Sequence, residues 1–190
     1  MENTFITKDL TANPAPLGLC GFGLSTVLLN LHNAGLFGMD TMILGMGLIM
    51  GGLVQLLVGI MEWRKNNLFG TMAFSSYGAF WISLVVLLVL PKLGLGTAPS
   101  SVAMGYYLAI WGVFSLGLFV ATLKMSKSLM LLFGSVVALF ALLSIANFTG
   151  SHLVHTIAGI EGIFCGGLAM YVAMAELFIE VYKKPILPLA

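Results

Sequence analysis

Residues 13–33 read NPAPLGLCGFGLSTVLLNLHN, and the way this stretch folds decides the class of the chain. Asn13 is a good N-cap and Pro14 suits the first helical position, because its missing N–H is one the helix leaves unpaired in any case. A helix therefore starts here, and it is apolar except along one face. At 100° per residue, Phe22, Thr26, Asn30 and Asn33 fall within roughly 80° of one another. A face of amides, a hydroxyl and one bulky ring is unsuited to lipid. Two readings are open for it: a wet path, which suits polar groups drawn out along the helix axis, or interhelical hydrogen bonding.

The rest of the chain has the same character. Of 190 residues, 59% are hydrophobic and 8% charged, where soluble domains carry about 25% charged residues. The mean hydropathy is +1.06. The expected fold class is an all-α integral membrane protein. A net charge of +1 without a basic cluster argues against a nucleic-acid partner, since phosphate binding needs clustered Lys and Arg. Cys20 and Cys165 lie in different apolar segments with nothing of metal-ligand spacing around them. Both read as buried thiols, and neither a metal nor a cofactor is expected. The N-terminal MENTFITKDLTAN lacks the basic flank and apolar core of a signal peptide, so no cleavage is expected.

Six apolar runs are long enough to cross a hydrocarbon layer of about 30 Å, which takes about 20 helical residues. They lie near 16–36, 41–62, 69–90, 101–123, 129–148 and 153–178. The connections are short, which predicts one transmembrane domain over 13–182 between tails at 1–12 and 183–190. An even number of spans puts both termini on one side. That side collects Lys8, Arg64, Lys65, Lys124, Lys127, Lys183 and Lys184, against Lys92 on the other. The asymmetry makes both termini cytoplasmic, and with them Trp63 and Tyr182 at cytoplasmic helix ends. Gly47 and Gly51, and Gly162 and Gly166, have the GxxxG spacing that lets helix backbones approach closely.

Val136 and Asn147 in the fifth span are eleven residues apart, as are Phe22 and Asn33 in the first. Eleven residues make nearly three turns, so in both helices an apolar residue is followed on the same face, roughly 16 Å farther out, by an asparagine. Tyr77 lies at a similar depth in the third span, so Phe22, Tyr77 and Val136 can form one ring, or can be ordinary core residues. Glu161 is the acid deepest in a span. A carboxylate at that depth costs roughly 2.5–3.5 kcal/mol and must be protonated or paired. It is a candidate proton site or a hydrogen-bonded packing residue. An intramembrane enzyme would need His152, His155 and Glu161 together. On one helix Glu161 points about 180° from His152 and 240° from His155, and no HExxH pattern occurs.

Asn13-Pro14-Ala15-Pro16-Leu17-Gly18-Leu19, with Gly21-Phe22-Gly23, Asn30-Leu31-His32-Asn33-Ala34-Gly35 and Phe74-Ser75-Ser76-Tyr77-Gly78 followed by Trp81, resembles the acetate uptake transporters of succinate-acetate permease type. The likeness continues through Pro91-Lys92-Leu93-Gly94 and Trp111-Gly112-Val113-Phe114. It implies six helices per protomer, a homohexamer with one pathway in each protomer, a cell-membrane location, and passage of acetate and related small carboxylates. It also implies a narrow apolar constriction of Phe, Tyr and Leu, which matches Phe22, Tyr77 and the position of Val136. Valine there is a departure from the family pattern. Thr26, Asn30, Asn33, Ser76 and Asn147 are the expected polar groups of the pathway.

No span holds an interior Lys or Arg. A carboxylate would therefore cross with its proton, or be held by amide and hydroxyl donors and helix dipoles. An apolar ring adds a dewetting barrier to a bare anion, which favours a proton moving with the substrate. A hexameric channel for urea or short amides is the competing transport reading.

Overall fold

The computed structural model describes residues 11–189; Lys8 and most of the 1–12 tail lie outside them. Six helices are long and apolar enough to span a membrane: α1 (Ala15–Asn33), α2 (Thr41–Arg64), α3 (Leu68–Leu93), α4 (Ser101–Thr122), α5 (Lys127–Thr149) and α6 (His152–Tyr182). No strand occurs among the described residues. The chain is a six-helix integral membrane protein.

Local chemistry sets the helix ends. Helix α1 begins one residue later than expected, with Pro14 in the cap position. Asn13 still caps it, because its Oδ1 accepts the Ala15 N–H at 3.0 Å. The helix ends at Asn33 rather than 36, since Gly35 takes φ of 89°, a left-handed conformation that glycine adopts freely. Asp40 accepts from the N–H groups of Met42 and Ile43 at the start of α2. Asn67, Ser100, Ser126 and Ser151 cap α3, α4, α5 and α6 in the same manner. Helix α6 continues to Tyr182, past the expected end at 178. The segment after it folds back, so that the Tyr171 hydroxyl donates to the Pro188 carbonyl at 2.8 Å.

Helix α2 is not uniform. Gly47–Val54 is π-helical, and ordinary α-helix resumes at Gln55. Nothing in the hydrophobic pattern announces this, because the whole segment is apolar.

Consecutive helices pack as neighbours, α2 on α3 and α4 on α5, while α6 returns to lie along α1. Helices α5 and α6 also pack together, as do α1 and α2, whereas α3 and α4 meet only sparsely. Along α1 and α6 the backbones nearly touch. A Cβ built on Gly159 would lie 2.3 Å from the Ala34 nitrogen, and one on Gly166 would lie 2.7 Å from the Gly23 carbonyl oxygen. The Gly162 and Gly166 pair is thus a packing surface within one chain, and Gly47 and Gly51 serve likewise against the Trp81 ring.

Candidate functional site

A cavity of about 250 Å³ opens toward the end of the bundle that carries both described termini. Its apolar walls come from the first half of three helices: Leu19 and Phe22 of α1, Phe74 and Tyr77 of α3, Phe133 and Val136 of α5. Phe22, Tyr77 and Val136, expected at one depth from spacing alone, all line it, and all three are buried. The Phe22 and Tyr77 ring centroids are 5.6 Å apart, and Phe133 stands 6.3 Å from Tyr77. Phe133 escapes a reading that stops at Val136, although it precedes Val136 by three residues and so shares its face. The Tyr77 ring is held by its hydroxyl, which donates to Ser115 Oγ on α4 at 2.9 Å. Ser115 in turn donates to the Trp111 carbonyl at 2.8 Å. The phenol oxygen is therefore occupied, and Tyr77 presents its ring to the cavity.

The mouth of the cavity is polar, with amides and one carboxyl group. Asn13, Asn67, Gln55 and Glu176 line it, with no Lys or Arg among the described lining residues. Asn13 Nδ2 donates to Glu176 Oε2 at 3.2 Å, so the residue that caps α1 also ties it to α6. Asn67 Nδ2 donates to Glu62 Oε2 at 2.7 Å, and the other Glu62 oxygen is buried without a hydrogen-bond partner. Gln55 is 1% exposed, and its Oε1 is likewise unpartnered. Sequence reasoning passed over Gln55, Glu62, Asn67 and Glu176. Glu62 and Glu176 sit at or near the ends of their spans, where an acid is unremarkable, and the orientation of Gln55 depends on the π-helical segment before it.

The opening motif gains a physical account here. Pro14 accepts from the N–H groups of Leu17 and Gly18 at 3.1 and 3.3 Å, closing the first turn, while Pro16 needs no donor in that turn. A Cβ on Gly18 would lie 2.5 Å from Phe74, so glycine there admits the Phe74 ring to the cavity wall. Leu17 is exposed on the outer side.

The other expected polar residues lie elsewhere. Thr26 and Asn30 are buried. Asn30 donates to the Thr26 carbonyl at 2.9 Å and accepts from Asn33 Nδ2 at 2.9 Å, with its side chain pressed on Gly162 of α6. None of the three lines a cavity described here, and neither does the half-buried Ser76. Asn147 lines a second cavity of about 230 Å³ at the opposite end, with Ser101, Ser151, His152 and His155. Glu161 accepts a hydrogen bond from Ser135 of α5, its second oxygen is buried and unpartnered, and it lines neither cavity. Among the described residues no group of His, Cys, Asp and Glu is arranged to hold a metal ion.

A model of the GPR1/FUN34/yaaH family matches residues 3–184. The chain is 49% identical to the succinate-acetate/proton symporter SatP of Escherichia coli (strain K12), over 94% of this chain and 95% of that one. It is 40% identical to the ammonia transport outward protein 2 of Saccharomyces cerevisiae, over 86% of this chain but 61% of the longer yeast protein. The solved structure of the bacterial acetate channel SatP superposes with a TM-score of 0.93 at 48% identity, covering 95% of this chain and 99% of that one. These relatives are transporters and channels, not enzymes.

Proposed function

The chain belongs to the GPR1/FUN34/yaaH family, and we propose that it carries acetate and related small carboxylates, succinate among them, across the cell membrane together with a proton. The observation that supports this reading is the cavity lined by Phe22, Tyr77 and Val136, with no Lys or Arg among its described lining residues. A bare carboxylate there would lose its hydration without meeting a cation, which is costly. A constriction of two aromatic rings and a valine resists wetting as well. The undissociated acid faces a much smaller penalty on both counts. Val136, Phe22 and Tyr77 set the width of the passage, and width sorts carboxylates by cross-section.

Both termini are read as cytoplasmic, because Arg64, Lys65, Lys124, Lys127, Lys183 and Lys184 gather at the end where the cavity opens. The second cavity, with Asn147, then becomes the outer mouth. The assembly is read as a homohexamer in which each protomer keeps its own passage. Exposed Ile110, Val113, Val120, Ile160 and Phe164 supply apolar surface for neighbouring protomers or lipid.

The test is uptake of radiolabelled acetate and urea by proteoliposomes, corrected for protein-free vesicles, with and without an imposed pH gradient. Acetate is expected to accumulate with the gradient and to stop accumulating when it is collapsed, while urea uptake stays at background. Accumulation driven by membrane potential alone at equal pH would overturn proton coupling, and protein-dependent urea uptake without acetate uptake would favour the amide channel.

A further inference from the structure

We propose that Glu176, with Gln55 above it, is the group at which the substrate's proton is exchanged, and that this end of the cavity binds small carboxylic acids in their undissociated form. The inference rests on the proton-coupled reading and assigns its residues.

Three observations converge. First, among the described residues lining the cavity Glu176 is the only carboxylate, and none is basic. A substrate carboxylate beside it would place two like charges in one small space, and such pairs hold a proton between them rather than ionise together. Second, Gln55 lines the same cavity, is almost wholly buried, and has a carbonyl oxygen without a donor. A carboxylate ion offers acceptors only, whereas the undissociated acid brings the O–H that this oxygen lacks. Third, Asn13 Nδ2 donates to Glu176 Oε2. That bond holds one carboxyl oxygen of Glu176 by an amide and leaves the other for a ligand.

The charged group that acts on Glu176 comes from α2. Glu62 on α2 is close enough to act on it repulsively, and Lys65, just after α2, acts attractively on Glu62. Helices α3 and α5 bring Asn67 and apolar side chains, and the segment before α1 brings Asn13.

The exchange balances simply. During uptake the neutral acid passes the ring, its O–H bond breaks as an O–H bond forms on ionised Glu176, and the carboxylate leaves toward the terminal end. Glu176 then releases the proton to water at the mouth and is ready again. Reversal gives efflux.

Glu176→Gln keeps the size and an acceptor for Asn13 but can neither carry a proton nor repel an anion. In planar bilayers the wild-type assembly is expected to move acetate with little current. Glu176→Gln is expected to raise the acetate current about tenfold and to flatten its dependence on pH at the terminal side, a gain that a misfolded protein could not produce. Glu176→Asp should restore both the low current and the pH dependence. In proteoliposomes, Glu176→Gln should also lose accumulation driven by the pH gradient.

If wild-type acetate flux is wholly current-carrying at every pH, proton coupling itself falls. If wild-type flux is pH-driven and Glu176→Gln leaves both its pH profile and its current unchanged, the assignment of Glu176 falls alone. Ammonium is the other donor-rich small solute that the Gln55 and Glu176 oxygens would hold. A current carried by ammonium that drops in Glu176→Gln, with acetate transport unaltered, would also overturn the assignment.

Discussion

The bundle is closed by two seams of opposite construction. Where α1 meets α6, glycines bring backbone against backbone: Gly159 against Ala34, Gly166 against Gly23. Where α3 meets α4, the helices stand apart and large side chains fill the gap. Phe80 stacks on Tyr107 at 5.9 Å and meets Trp111 edge-on at 5.3 Å, while Tyr77 and Ser83 hydrogen-bond to Ser115 and Tyr107. A backbone seam cannot change its spacing without moving whole helices, because packed interiors have no slack to absorb a displaced main chain. An aromatic seam can re-aim a ring by side-chain rotation. Tyr77 belongs to the second kind, so its part of the cavity wall stands on the aromatic seam, while the backbone seam joins α1 and α6.

The largest effect is expected at the rigid seam. Gly159→Ala places its new carbon against main-chain atoms, which cannot swing aside, so the cost should reach or exceed the upper end of the ~1–3 kcal/mol typical of overpacking. Gly167 has nothing within 4 Å of its Cβ position, and Gly167→Ala should leave stability nearly unchanged. Thermal unfolding of the two variants in detergent measures the difference. Equal behaviour would mean that the α1 and α6 backbones are not in contact.

The next effect concerns selectivity. Val136→Leu should narrow the passage and slow succinate or lactate more than acetate, and Val136→Ala should do the reverse. One methylene in an apolar pocket is worth about 1–3 kcal/mol of discrimination, so the ratio of rates should move by about tenfold. Uptake of the acids at equal protein in the membrane checks this. A common factor for every acid would make Val136 a packing residue and place the gate elsewhere.

The smallest effect is expected from Tyr77→Phe. It removes the hydroxyl bond across α3 and α4 but keeps the ring, and Ser115 retains its bond to Trp111. A loss of about 1 kcal/mol in stability is expected, with acetate uptake close to wild type and selectivity slightly relaxed. A large loss of transport would show that ring orientation, not ring presence, sets the aperture.

Much of this architecture is legible in the sequence because hydropathy in a membrane is a strong signal. Every backbone polar group must be paired inside its own helix, so apolar length maps onto spans almost directly. Phe22, Tyr77 and Val136 were readable for the same reason, since straight helices convert residue spacing into depth. The belonging to the acetate uptake transporters was carried by the motif that opens α1. What was not legible depends on neighbours. Periodicity leaves Asn30 open between a pathway residue and helix packing; its amide bonds to Thr26 and Asn33, and it packs on Gly162. Glu161 draws notice by its depth, while Glu176, nearer a helix end, lines the cavity. Depth along one helix says nothing about which way that helix is turned.

The π-helical segment of α2 gives that point its sharpest form. A stretch with i→i+5 bonding accommodates residues at a different angular step from the α-helix on either side, so it acts as a phase shifter inside one continuous rod. Within it, the helix answers to its neighbours' packing, with Gly47 and Gly51 seated on Trp81. Beyond it, Gln55 and Glu62 are turned into the protein. Were the same eight residues α-helical instead, both halves would remain helices and the second would be turned by an angle on the order of 100°. The greasy wall and the polar floor of α2 are therefore tuned independently, and the small residues between them are the dial.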